Sequence, residues 1–381
     1  MKIIYTFDEI PKTFSKSLFL AGPTPRKDTS LTWRKEALSI LEKLNYDGVV
    51  FVPELFTNEK KHLLNTRDCT AWELEACKCS DVILFWIPRQ IRPDFEMAAL
   101  TTNVEFGMYK DTYKVVAGCP PEAKKNEYLK IVSPNVDWYD TLEDTIITAI
   151  NKIGQGVKRS NAERYVPSDI FSSSQFQDWY ASQLSSGNSL EDLTMKFNFF
   201  MPKAKKLFMT IFQPSVFILE ENRKKENEFV IARSDMSYIC AYHKSNDYEI
   251  VLTKEFRSPV RNTKSFIYEL PGGSSLNPND DELETASHEF EEEVGLKLPA
   301  NRFKKIMSRQ SSATLCSHII TLFSVELNSD EINYIKNDKS MHGVVEDTEQ
   351  IYLEVKTFAD ILNDNLCDWT NIGMIIQGIK K

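Results

Sequence analysis

Three glutamates near residue 290 have the spacing of a metal site on a helix. Glu289, Glu292 and Glu293 stand at positions i, i+3 and i+4, which places them on one face of an α-helix. Like charges at this spacing weaken a helix by about 0.2–0.5 kcal/mol per pair, and no Lys or Arg lies between Asp280 and Glu293. We therefore expect an external cation. Hard carboxylate oxygens favour Mg²⁺ or Mn²⁺, which typically bridge to substrate phosphates.

The predicted helix lies within a strand-rich segment. From about Leu207, short apolar runs predict strands at LFMTIF, SVFILEE, EFVIARS, YICAYH, YEIVLTKEF and FIYELPGG. A helix over residues 281–294 follows, then strands at ITLFSVEL and QIYLEV and an amphipathic segment near FADIL. This order indicates a mixed sheet with one central helix. A purely structural acidic helix is the alternative to a metal site.

Residues from about 200 to 381 resemble the Nudix hydrolases. The carrying motif is E-x-x-E-E-x-G, Glu289 to Gly295, after a strand that ends in Glu-Leu-Pro-Gly-Gly. The resemblance implies an α/β/α mixed-sheet fold, Mg²⁺ or Mn²⁺ bound by Glu289, Glu292, Glu293 and Gly273, and a catalytic role for Glu292 and Glu293. His288 stands in place of the motif's Arg, and Asp280 in place of its first Glu.

The stretch VLTKEFRSPVRNTKSFIYELPGG is similar to the ADP-ribose and nucleotide-sugar pyrophosphatase branch of that family. This similarity implies substrate contacts at Arg257 and Glu269; an exposed Arg on a strand edge is the alternative for Arg257. It also implies a general base in a late acidic loop, at Glu346 or Glu349, with no choice between them. Members of this branch are usually homodimers that exchange amino-terminal strands, here LFMTIF and SVFILEE.

A second group of polar residues lies among alternating strand and helix patterns between Lys16 and about Ile153. Short apolar runs such as SLFLAG, GVVFVPEL, DVILFWIP and YKVVAGCP are separated by helical patterns. This alternation predicts a doubly wound parallel sheet with helices on both faces. Ligands of such sheets bind beyond the carboxyl ends of the strands.

Residues 14–140 resemble the nucleoside 2-deoxyribosyltransferase-like family. The motifs are Phe19–Pro23 (FLAGP), Trp72-Glu73, SDVILFWIP at 80–88 and NVEFGMY at 103–109. The resemblance implies that Glu105 attacks the anomeric carbon as a retaining carboxylate nucleophile. It also implies that Glu73 and Asp94 orient the ribose hydroxyls or protonate the base. A helix N-terminal acid favoured by the dipole is the alternative for Glu105, and a structural cap is the alternative for Asp81.

Further substrate contacts are implied at Gly22 and Asn103, and at Arg26 for a phosphate. The loop from Arg89 to Thr102 is longer than in the family, and Asp94 lies eleven residues before Glu105. Transfer to an acceptor base, simple hydrolysis and a catalytically inactive nucleotide sensor that regulates the Nudix domain therefore all remain open.

Composition narrows the class of protein. The chain has 381 residues, 42% of them hydrophobic and 27% charged, with a net charge of −9. We interpret it as a cytoplasmic protein with free thiols, no membrane partner and no stable nucleic-acid partner; the acidic balance also argues against an RNA-cap hydrolase. The expected domains are 1–153, a linker or docking segment at 154–199, and 200–381. Together they predict a bifunctional enzyme acting on nucleosides or nucleotides, with ADP-ribose favoured for the second domain.

Overall fold

A computed structural model describes residues 1–25, 32–56, 65–91, 96–201, 206–274, 281–343, 350–365 and 367–380. The chain divides into two compact units. The first contains residues 1–200 and 210–230, and the second contains residues 201–209 and 231–381. Among the described residues, every helix is too short or too polar to traverse a lipid bilayer.

The first unit is built on a parallel sheet. Its elements up to residue 153 are β1 (Lys2–Tyr5), β2 (Thr13–Phe14), β3 (Ser17–Ala21), α1 (Trp33–Lys43), β4 (Val49–Val52), α2 (Thr66–Cys79), β5 (Val82–Trp86), β6 (Gln90–Ile91), β7 (Glu96–Met97), α3 (Leu100–Tyr109), β8 (Val115–Gly118), α4 (Glu127–Ile131), β9 (Trp138–Tyr139) and α5 (Leu142–Ile153). Six strands pair in parallel in the order β1-β4-β3-β5-β8-β9.

Side chains alternate between the two faces of this sheet, and both faces are covered. Phe19, Phe51 and Phe85 pack on one face with Ala76 and Cys77 of α2 and Phe106 of α3. Their neighbours Leu18, Leu20, Val50 and Leu84 pack on the other face with α1 and α5. Continuous apolar strands arise because both faces are buried. The predicted doubly wound parallel sheet is confirmed.

Residues 154–199, the predicted linker or docking segment, carry regular elements of the first unit. These are β10 (Arg159–Ser160), a 3₁₀ helix (Asn161–Tyr165), α6 (Ser168–Phe171), α7 (Ser174–Ser185) and β11 (Ser189–Phe200). Strand β10 pairs with β2. Arg159, fully buried, donates to both carboxylate oxygens of Asp81 at 2.7 and 2.8 Å. Asp81 therefore has a structural role in this unit, which agrees with the interpretation of Asp81 as a structural cap.

Two strands follow, β12 (Leu207–Ile218) and β13 (Arg223–Lys225), and both lie in one sheet with β11. The sequence predicts two separate strands at LFMTIF and SVFILEE, and this prediction is wrong because β12 is continuous through Pro214. The strand accommodates Pro214 although a proline cannot donate a ladder hydrogen bond.

The second unit is built on a mixed sheet. Its elements are β14 (Val230–Arg233), β15 (Met236–Lys244), β16 (Tyr248–Phe256), β17 (Phe266–Glu269), β18 (Gly272–Gly273), α8 (Glu282–Val294), a 3₁₀ turn (Ala300–Arg302), β19 (Lys304–Gln310), β20 (Ile319–Glu326), α9 (Ser329–Asn337), β21 (Tyr352–Thr357), α10 (Phe358–Asp364) and α11 (Trp369–Ile379). The sheet order is β17-β16-β15-β20-β19, with β18 on β15 and β21 on β16. Strands β15 and β20 are parallel and the other pairs antiparallel.

Helices cover both faces of this mixed sheet. Ala286, Phe290 and Val294 of α8 pack with residues of α9 on one face. Met374 and Ile375 of α11 pack with α10 on the opposite face. The predicted α/β/α mixed-sheet arrangement is confirmed, and the apolar stripe of α8 explains why its acidic side is turned away from the core.

Candidate functional site

A cavity of about 240 Å³ lies beyond the carboxyl ends of β3 and β4 in the first unit. Gly22 and Pro53 line it directly after these strands, Glu73 enters from α2 and Glu105 from α3. The chain passes from β3 to β4 on one side and then crosses to β5 on the other. The cavity thus lies at the topological switch point, where doubly wound sheets bind their ligands.

The loop after β3 is held by a buried arginine of α1. Arg34 is 2% exposed, and its Nε donates to the Leu20 carbonyl at 3.0 Å. Its Nη2 donates to the Gly22 carbonyl at 2.6 Å, and its Nη1 to Thr24 Oγ1 at 2.8 Å and Glu54 Oε1 at 2.7 Å. These bonds fix the backbone that forms one wall of the cavity.

Gly22 is required by this loop for two reasons. Its φ of +149° lies in a region that side chains rarely adopt, and a Cβ there would come within 2.2 Å of the Trp86 carbonyl oxygen. Glycine therefore lets the loop cross the end of β5 at close range. The sequence identified Gly22 through the FLAGP motif, and the structure places it in the cavity wall.

Glu73 and Glu105 form an acidic pair in the cavity. Burial raises the pKa of Glu73 to about 7, and the negative charge of Glu105 adds to the shift while Arg34 opposes it. Burial also raises the pKa of Glu105, again opposed by Arg34. Because both carboxyls hold a proton more tightly than an exposed glutamate does, one can be ionised while the other holds a proton.

Asn103 lies two residues before Glu105 on α3. Its Oδ1 accepts a hydrogen bond from Nη2 of Arg89, whose Nη1 donates to the Lys125 carbonyl at 3.1 Å. Helix α3 begins after Ala99, which has a left-handed φ of 58° and no side-chain cap. Asn103 thus has a protein partner, and its contact with a substrate stays a prediction.

In the second unit, two of the three glutamates predicted to bind metal lie at the Gly-Gly turn, which contains the fourth predicted ligand, Gly273. Oε2 of Glu293 accepts a hydrogen bond from the Gly272 amide at 2.9 Å. A Cβ on Gly273 would lie 2.5 Å from the carboxyl carbon of Glu289. Only a glycine leaves room for this carboxylate. Glu292 instead has its Oε2 3.7 Å from His288 Nδ1.

Within the described ranges, no group of three or more His, Cys, Asp or Glu side chains is arranged to hold a metal ion. The donors that approach the Gly-Gly turn are carboxylate oxygens of Glu289 and Glu293. Such hard oxygens match the preference of Mg²⁺ and Mn²⁺. The donor chemistry therefore fits the metal that the sequence predicts.

Arg257 and Glu269, the predicted substrate contacts, are paired with each other. Arg257 Nε lies 3.2 Å from Glu269 Oε2, and its Nη2 lies 2.8 Å from Glu255 Oε2. The two carboxylates raise the pKa of Arg257 despite its partial burial. Arg257 directly follows β16, and Glu269 is the last residue of β17. Strand β16 is the neighbour of β15, with which the Gly-Gly turn pairs.

Sequence reasoning missed two polar residues near the same turn. Arg233 donates to Ser274 Oγ at 3.3 Å and lies over the Phe208 ring at 5.0 Å, while its buried Nε has no hydrogen-bond partner among the described residues. In the same described part of the chain, the buried Nδ1 of His318 also has no hydrogen-bond partner, and burial together with Arg233 lowers the pKa of His318. A lone Arg at a strand end gives no sequence signal. Arg34, inside an amphipathic helix, gave none either.

Five residues named in the sequence analysis lie outside the described residues: Arg26, Asp94, Asp280, Glu346 and Glu349.

Comparison with known proteins supports the interpretation of the first unit. Residues 15–123 match the family model described as nucleoside 2-deoxyribosyltransferase like. Residues 15–123 are therefore similar to this family, and the similarity supports a role in nucleotide metabolism and suggests an enzyme. No curated protein shows significant sequence similarity to the chain. A solved structure described as an ADP compounds hydrolase is similar to it at 14% identity and a TM-score of 0.34, over 50% of this chain and 95% of the other.

Proposed function

We propose that the first unit cleaves or transfers the N-glycosidic bond of a nucleoside or nucleotide. The observation that carries this proposal is the Glu73–Glu105 pair in the cavity at the switch point of the sheet, with the pKa of Glu73 raised to about 7. Pairs of carboxyls with perturbed pKa values are typical of glycosyl chemistry.

In the proposed reaction, ionised Glu105 attacks the anomeric carbon and forms a glycosyl ester. The bond from that carbon to the base breaks, and the base leaves with the proton of Glu73. An acceptor base or water then attacks the ester, gives its proton to Glu73 and releases Glu105 as a carboxylate. Arg34 holds the loop after β3 and favours the ionised form of Glu105.

This proposal is tested by chromatography of free bases released from nucleosides, 2′-deoxynucleosides and their 5′-monophosphates, with and without an acceptor base. The Glu105→Gln variant is expected to release no base, and Glu42→Gln, an exposed acid on α1, is the matched control. Turnover by Glu105→Gln equal to wild type would refute the nucleophile. Nucleotide binding without turnover in wild type and variant would favour the sensor role.

We infer a second activity, hydrolysis of a nucleoside diphosphate derivative, for the second unit. Its support is the acidic face of α8, from which Glu289 and Glu293 reach the Gly-Gly turn. Glu289, Glu292 and Glu293 would hold Mg²⁺ or Mn²⁺, which supplies charge neutralisation and activation of the attacking water. ADP-ribose is the favoured substrate; water adds across its anhydride and gives AMP and ribose 5-phosphate. Glu346 or Glu349 is the proposed base.

The second activity is tested by product analysis after incubation with ADP-ribose and Mg²⁺. AMP and ribose 5-phosphate are expected from wild type and from Glu284→Gln, an exposed acid on the same helix. Glu292→Gln and Glu293→Gln, or wild type with a chelator, are expected to give none. Absence of both products with wild type would remove ADP-ribose as substrate.

We further propose a homodimer formed through this unit, which sedimentation would reveal. We also propose a cytoplasmic location, because a reducing compartment suits seven free cysteines.

A further inference from the structure

A second cavity, of about 480 Å³, lies in the second unit between α11 and the strands β19 and β20. Its strand side is formed by Met307, Arg309, Ile320 and Leu322. Residues 320 and 322 belong to the core layer beneath α11, whereas Phe323 packs with α8. The cavity is therefore on the face of the sheet opposite the acidic helix, and it is separate from the proposed hydrolytic site.

The helix side of this cavity has an unusual arrangement of residues. Trp369, Gly373 and Gln377 follow one another at intervals of four, so they share one face of α11. Trp369 is 85% exposed. A large aromatic side chain at this exposure has most of its ring surface free for a ligand.

Gly373 lacks a structural reason of its own. Glycine inside a helix is unfavourable relative to alanine, and a Cβ added at Gly373 would meet no described atom within 4 Å beyond its chain neighbours and the backbone of its own helix. By contrast, Gly378 on the same helix is required because a Cβ there would lie 2.4 Å from the Cβ of Cys240. Gly373 leaves open space between the indole of Trp369 and the amide of Gln377.

The opposite wall supplies a cation. Arg309 is exposed on β19, and within the described part of the chain its guanidinium has no ion-pair or hydrogen-bond partner. Met307 and Arg309 alternate with Ser308, which is hydrogen-bonded to Thr321, and Thr321 in turn donates to Glu282 of α8. Met307 and Arg309 therefore face the cavity side of the sheet.

We propose that this cavity binds a nucleoside monophosphate. The open space beside Gly373, called the slot below, fits a nucleobase. A nucleobase is planar, stacks on an indole and offers hydrogen-bonding edges to the amide of Gln377. The phosphate fits the free guanidinium of Arg309. The volume lies within the range of small-molecule pockets.

The test uses the full-length chain labelled with ¹³C at the methionine methyls, ten in all. Met307 and Met374 line the cavity, and their signals are assigned by Met307→Leu and Met374→Leu. AMP is expected to shift both signals saturably, adenosine more weakly, and inorganic phosphate not at all. The ³¹P spectrum of the same sample verifies that AMP stays intact. This readout is local, so occupancy of any other nucleotide site leaves it unchanged.

Variants separate the parts of the cavity. Gly373→Leu fills the slot and is expected to abolish the shifts, whereas Gly373→Ala is the matched control that retains them. Trp369→Ala is expected to weaken the binding of AMP about tenfold because stacking is lost. Trp369→Phe is expected to weaken it much less. Arg309→Gln is expected to remove the preference of the cavity for AMP over adenosine. Thermal melts verify that each variant is folded.

Three results would overturn the proposal. These are no saturable shift at millimolar AMP, shifts that persist unchanged in both Gly373→Leu and Trp369→Ala, and equal shifts with inorganic phosphate alone, which would leave only an anion patch at Arg309.

Discussion

Replacing Glu73 by Gln is expected to stabilise the first unit above neutral pH and to leave its stability unchanged in acid. Burial and the charge of Glu105 raise the pKa of Glu73 from its ordinary 4.5 to about 7. The folded state therefore binds this proton more tightly than the unfolded state does. Its stabilising effect is fully present below about pH 4.5 and is lost as the pH rises through about 7.

The size of the effect follows from the shift. A pKa change from 4.5 to about 7 corresponds to ~3 kcal/mol, and because the carboxyl keeps part of its solvent exposure we reduce this to ~1–2 kcal/mol. Glutamine has the same shape and no charge, so it does not incur this cost at any pH. For a unit of this size the melting temperature of Glu73→Gln should exceed that of wild type by about 2–6 °C at alkaline pH.

Differential scanning calorimetry of wild type and Glu73→Gln at about pH 4.5, 7 and 8.5 measures this difference directly. It should be near zero at the lowest pH, grow up to about pH 7 and then stay constant. The matched control is Glu42→Gln, an exposed acid that should show no such trend. A difference that is the same at all three values, or a variant less stable than wild type in alkali, would refute the acidic-pair interpretation.

Three further predictions concern single residues. Glu105→Gln should abolish release of bases while leaving ADP-ribose hydrolysis unchanged, since the two proposed sites lie in different units; chromatography of both product sets checks this. Gly273→Ala should lower diphosphate hydrolysis roughly tenfold or more, equivalent to about 1.4 kcal/mol, because the new Cβ lies 2.5 Å from the Glu289 carboxyl. Arg159→Met should cost about 3–5 kcal/mol in urea denaturation by leaving a buried carboxylate unpaired, against less than about 1 kcal/mol for the exposed ion pair of Lys16.

The sequence predicted those parts of the fold whose side-chain pattern is set by burial on both faces. Strands β3, β4 and β5 are uniformly buried, so their apolar runs are unambiguous. Helix α8 was found within one residue because an apolar stripe and an acidic face alternate with helical period. Strand β19 was missed, since its sequence KKIMSRQ is mostly exposed and lacks alternation. Helix α11 was missed because two glycines interrupt it.

The candidate sites were only partly accessible from the sequence, for a related reason. Glu73 and Glu105 stand in recognisable motifs, but burial raises the pKa of both, and the charge of Glu105 adds to the shift of Glu73. Arg34 shows the same limit more sharply. Its position on an amphipathic helix gave no signal, whereas its buried guanidinium donates to the Leu20 and Gly22 carbonyls, to Thr24 and to Glu54.

The bond between Asp81 and Arg159 also bears on the extent of the first unit. Asp81 accepts hydrogen bonds from Ser17, at the start of β3, and from the Ser168 amide, in addition to Arg159. Three of the segments that form this unit therefore meet at one buried carboxylate. Because a buried charge without its partner is strongly destabilising, residues beyond 153 are part of the fold that holds the Glu73–Glu105 cavity. Arg159 and Ser168 thus support the fold on which the proposed glycosyl chemistry depends, although both lie beyond residue 153.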